Sequence, residues 1–98
     1  MYFKNFYKDK TEDEINTLIE QEGFKPSKFS DKPGTEYPTH QHPETKLLAF
    51  LEGEMCVTVN GKHYVCRSGD KLLIPGNTPH SAFVEDQGCT FFWAEKIV

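Results

Sequence analysis

From Phe24 onward, turn-forming residues cut this chain into short apolar segments, and that punctuation constrains the fold more than any other feature. The breaks fall at Asp31-Lys32-Pro33-Gly34, Glu52-Gly53, Asn60-Gly61, Ser68-Gly69-Asp70, Pro75-Gly76-Asn77 and Asp86-Gln87-Gly88. Breaks about 8 to 12 residues apart are the pattern of an all-β sandwich or barrel. The strongest signal is Asn60-Gly61, which suits a two-residue type I′ turn between Met55–Val59 and Lys62–Arg67. That turn sets Met55 opposite Cys66 and Val57 opposite Tyr64 on one face, with Cys56, Thr58, His63 and Val65 on the other. Cys56 and Cys66 then point to opposite sides and cannot bridge.

One helix precedes the strands. Thr11 and Glu14 form a capping box, acidic residues crowd the first turn, and Gly23 is a natural stop. Ile15, Leu18, Ile19 and Phe24 make an apolar stripe that predicts packing on the outside of something larger. With 98 residues the chain is expected to be one domain, 1–98, with a helix over about 11–23 and a barrel over about 24–96.

A formal charge of −4 without a Lys/Arg stripe argues against nucleic acid as a partner. No apolar run approaches the roughly 20 residues needed to span a bilayer. The beginning of the chain also lacks a signal peptide's apolar stretch, so the expected location is the cytoplasm. Three cysteines, none in a CxxC spacing, read as small hydrophobes rather than as a disulfide framework or a zinc knuckle.

Three of the four histidines fall in two short windows beside turns. His40 and His42 are one residue apart, and on a strand such residues face the same side. His80 follows the Pro75-Gly76-Asn77 turn. Neutral imidazole is the commonest metal-ligating side chain near neutral pH, and a third ligand from a neighbouring strand would complete a facial cap.

The two windows also fit a larger pattern. Gly34, His40-Gln41-His42, Lys46 and Gly53 resemble the first cupin motif, and Gly69, Pro75-Gly76-Asn77 and His80 resemble the second. The resemblance covers about residues 24–94. It implies a double-stranded β-helix, or jelly-roll, barrel holding one divalent metal ion (Fe, Ni, Zn, Mn, Co or Cu) on His40, His42 and His80. It also implies pairing into homodimers through the sheets, for which Cys89–Ala94 and the segment around Phe24–Phe29 are the expected contributors.

Two positions depart from the family pattern. Asn77 stands where glycine is usual, and asparagine also tolerates the left-handed region. Lys46 occupies the place of the usual fourth ligand, a glutamate, and a protonated lysine cannot ligate. By strand alternation Lys46 shares an inward face with Leu48 and Phe50. Its ammonium either pairs with an anionic substrate group near the cavity mouth, or snorkels to the rim or pairs with a structural carboxylate such as Glu36 or Glu44. Glu44 is the nearest substitute ligand, although it sits in a proline-containing turn. Tyr37 either lines the pocket as a hydrogen-bond donor or packs. His63 reads as a surface residue.

Ligand identity resembles that of cupin dioxygenases that use three histidines. The resulting expectation is a metal-dependent dioxygenase, or else an isomerase or lyase, acting on a small oxygen-rich or anionic molecule. In that expectation Lys46 and Tyr37 position the substrate. The rival is a non-catalytic cupin that binds or senses a small ligand.

Overall fold

The computed structural model describes residues 1–96. Its elements are β1 (Tyr2–Phe3), α1 (Glu12–Gln21), β2 (Ser27–Asp31), β3 (Glu36–His40), β4 (Thr45–Val59), β5 (Lys62–Arg67), β6 (Lys71–Ile74) and β7 (His80–Lys96). All strand pairs are antiparallel. No helix among the described residues is long and apolar enough to cross a membrane.

Two long strands organise the fold. β4 and β7 pair along their length, from Thr45↔Lys96 to Val59↔His80, and the register shifts near Glu52–Gly53. The first half of β4 is flanked by β6 and the second half of β7, which pairs onward with β2. The second half of β4 is flanked by β5 and the first half of β7, which pairs onward with β3. Each long strand therefore contributes to both walls of a jelly roll.

Sequence punctuation placed strand breaks at Glu52-Gly53 and Asp86-Gln87-Gly88. Instead the strands continue through both as bends. Gly53 (φ 77°) and Gly88 (φ 70°) take left-handed conformations there. A Cβ on Gly53 would lie 2.0 Å from the Gly88 carbonyl oxygen. The glycines allow the two backbones to bend together without leaving the ladder.

The Asn60-Gly61 hairpin has the expected form. Both residues have positive φ (49° and 83°), and Met55 opposes Cys66, Val57 opposes Tyr64 and Cys56 opposes Val65. All three cysteines are free; Cys66 and Cys89 lie in the core.

Alternation along β4 produces two packed faces. Leu48 and Phe50 join Met55, Val57, Leu72, Ile74 and Phe91 inside the barrel. Leu47 and Ala49 point the other way and, with Phe92 and Ala94, receive Ile15, Ile19 and Phe24 from the helical segment. Burying each isoleucine contributes on the order of 1.5–3 kcal/mol. The helix begins with the expected capping box: Thr11 Oγ1 accepts from Glu14 N at 3.1 Å, and Glu14 Oε1 accepts from Thr11 N at 2.8 Å.

Candidate metal centre

His40 ends β3, and His80 begins β7 directly opposite it in the register. His42 lies beyond β3 in the loop leading to β4. Strand alternation is therefore not what brings His42 to its neighbours. The loop is held from the side: Asn77 N donates to the His42 carbonyl at 2.7 Å. A Cβ on Gly76 would lie 2.2 Å from the Pro43 carbonyl oxygen, so only glycine lets the two loops close to this distance. Asn77 takes the left-handed conformation (φ 59°) that its turn requires. The turn before His80 thus positions the histidine loop after β3.

The three rings converge. Their centroids are 4.3 Å apart for His40–His80, 5.0 Å for His42–His80 and 5.6 Å for His40–His42. One nitrogen from each lies within 4.8 Å of the others.

Two rings are fixed by the same local device. The Nδ1–H of His40 donates to the Pro38 carbonyl at 2.7 Å, and that of His80 donates to the Thr78 carbonyl at 2.8 Å. A carbonyl only accepts, so both bonds place the proton on Nδ1 and leave the Nε2 lone pair free. His80 Nε2 and both ring nitrogens of His42 are buried without a hydrogen-bond partner. Glu44 Oε1 lies 3.4 Å from His42 Nδ1, close enough for attraction but without hydrogen-bond geometry.

Burial holds His80 below the usual imidazole range, and the charged forms of His40 and His42 and the Lys46 ammonium act in the same sense. Its hydrogen bond to Thr78 opposes them. The ring is thereby kept neutral, as a ligand must be. Buried, unpartnered nitrogens on neutral imidazoles fit a borderline divalent ion.

Beside the histidines is a cavity of about 290 Å³. Lys46 lines it, on the inward face expected from alternation, with its Nζ 4.8 Å from the centre of the Trp93 ring. Of the alternatives for its ammonium, pairing with Glu36 or Glu44 is not made: Lys46 forms no salt bridge among the described residues. Burial lowers its pKa, while the more distant charges of Glu95 and Glu44 raise it. Tyr37 is at the rim, and its hydroxyl donates to Asp31 Oδ2. Burial first, then this bond, pushes the phenol up to about 12. His63 faces solvent and bonds Thr58 Oγ1 at 2.8 Å, away from the cluster.

Sequence reasoning did not single out Glu95. It opposes Lys46 across β4 and β7, and a carboxylate oxygen of Glu95, one of Glu44 and a nitrogen of His42 lie within 4.8 Å of one another. Only the register between two strands far apart in sequence brings Glu95 here.

A family model described as the cupin domain matches residues 27–95. Among curated proteins, the chain is similar to a quercetin 2,3-dioxygenase of Bacillus subtilis (strain 168), 39% identical over 54 residues. That match covers 54% of this chain and 16% of the dioxygenase, so the chain spans a small part of that relative. Among solved structures it resembles an RmlC-like cupin from Shewanella frigidimarina NCIMB 400 (TM-score 0.66, 25% identity), covering 74% of this chain and 65% of that one. It also resembles KdgF from a Halomonas species (TM-score 0.69, 18% identity), covering 74% and 66%. The jelly-roll walls, both motif windows and the family match over 27–95 together show that this chain belongs to the cupin family.

Proposed function

We propose that this cupin binds one divalent metal ion through His40, His42 and His80 and acts as a metal-dependent dioxygenase on a small anionic molecule. The observation that carries this reading is the convergence of three imidazoles, two with their protons committed to backbone carbonyls, around buried and unpartnered nitrogens. Three neutral donors leave an ion its full charge, and such an ion supplies Lewis acidity and, where redox-active, the means of using dioxygen.

The chain's own residues set the rest. Lys46 attracts the anionic end of the substrate toward the histidines. Tyr37 borders the entrance, and its oxygen still accepts a hydrogen bond while its proton is held by Asp31. The mainly apolar walls exclude water from the reacting end. The similarity to a quercetin 2,3-dioxygenase supports the oxygenase class and extends over only 54 residues.

Oxygen consumption by the iron-loaded protein, with a panel of diketones, thiols and keto acids, tests the proposal. Substrate-dependent uptake that is absent in His80→Ala supports it. No uptake with any member, from protein carrying stoichiometric iron, favours the rival reading of a cupin that binds or senses a ligand without turning it over.

A further inference from the structure

The walls of the cavity say more about its ligand than the histidines do. One wall is aromatic: Phe29 from β2 meets Phe91 and Trp93 from β7, each pair of ring centres 6.1 Å apart. The facing wall is aliphatic, built from Met55, Val57 and Ala82. Phe29 remains 47% exposed at the mouth. A large apolar ring left open to water gains from anything that covers it.

The charged and metal-ligating groups are gathered at one end, while the Tyr37 hydroxyl at the entrance already donates to Asp31. At that end the half-buried Lys46 ammonium lies against the Trp93 face without a salt bridge among the described residues. His40 and His80 border the same space. A cation in a mostly apolar cavity is stabilised by an anion that enters with it.

We infer that the cavity is a site for a small aromatic monoanion, a single ring carrying one carboxylate or enolate. The ring lies between the aromatic and aliphatic walls, and the anionic group faces Lys46 and the histidines. An apolar cavity of about 150 Å³ accommodates benzene, so about 290 Å³ holds one ring with a short arm. Polyhydroxylated ligands are disfavoured, because each hydroxyl against these walls loses its water without gaining a partner. The expectation of an oxygen-rich substrate is thereby narrowed to a ligand whose oxygens sit at one end. This inference rests on the proposed function only for the metal that would share the anion with Lys46; the walls and the ammonium stand without it.

Trp93 is the only tryptophan in the chain, so its fluorescence reports on this cavity directly. Metal-free and metal-loaded protein are each titrated with benzoate, benzyl alcohol and gluconate. Benzoate is expected to give a saturable change at least about tenfold tighter than either other probe, as a charge-assisted contact in a desolvated site allows. Lys46→Met is expected to remove the preference for benzoate over benzyl alcohol while leaving the ring bound. Ala82→Phe, which fills the aliphatic side, is expected to weaken both ring probes with metal content unchanged. Gluconate binding as tightly as benzoate, no preference over benzyl alcohol, or no saturable response overturns the inference. Stoichiometric metal without benzoate binding overturns it alone; benzoate binding by a protein that takes no metal overturns the metal reading and leaves this one standing.

Discussion

The Lys71 side chain is buried on β6. Its ammonium, with a side chain only 7% exposed, is held by both Glu22 carboxylate oxygens at 2.9 Å and lies 4.3 Å from the Phe6 ring centre. Removing the carboxylate leaves a buried charge beside the Phe3 and Phe6 rings without its ion-pair partner. Glu22→Gln is therefore predicted to cost about 2 kcal/mol, read as a shift in the urea midpoint. Lys71→Met with Glu22→Gln is predicted to be less destabilised than Glu22→Gln alone, and a more destabilised double variant contradicts that. The thiols make a second test at this scale. Burial pushes Cys66 and Cys89 up to about 12, so neither forms thiolate near neutrality. A thiol-reactive disulfide at pH 8 is predicted to label at most Cys56 in the native protein and all three cysteines in denaturant.

Among the elements, the close approach of the Pro75-Gly76-Asn77 turn to the His42 loop is what the site depends on. Gly76→Ala forces a Cβ toward the Pro43 carbonyl and is predicted to lower metal affinity by more than it lowers stability, measured by calorimetric metal titration beside thermal unfolding. A Gly76→Ala protein with unchanged affinity would show that the loop contact does not position His42. The helix offers a pH test. Hydrogen bonds from Thr11 hold the Glu14 carboxyl below its ordinary 4.5. A carboxyl depressed in the folded state contributes stability that is present above its unfolded pKa and lost as pH falls through the folded value. Glu14→Gln is thus predicted to flatten the fall in stability below about pH 4.5, and Thr11→Ala to cost about 1 kcal/mol near neutrality. Unfolding curves at pH 3.5 and 7 check both. The capping box and the Asn60-Gly61 hairpin were readable from sequence because their partners lie within a few residues. The continuity of β4 and β7 was not, because Gly53 and Gly88 resemble loop punctuation until a strand about 35 residues away holds the ladder together. His42 lies off its strand for a similar reason: its position is set by Asn77, from the other motif.

At the scale of the whole molecule, the inward face of Lys46 followed from alternation, but its neighbours Trp93 and Glu95 came only with the β4–β7 register. The outer strand β2 is exposed along most of its length. Such an edge is a template for pairing unless it is covered. We expect a homodimer, so light scattering after size exclusion is predicted to give twice the chain mass; a monomer across micromolar concentrations contradicts this. The three-histidine metal centre is tested by elemental analysis of the untagged protein, as purified and after reconstitution of metal-free protein. One divalent ion per chain is expected, lost in His80→Ala while that variant keeps its far-ultraviolet circular dichroism. Absence of stoichiometric metal after reconstitution, or retention of the ion by folded His80→Ala, would contradict it.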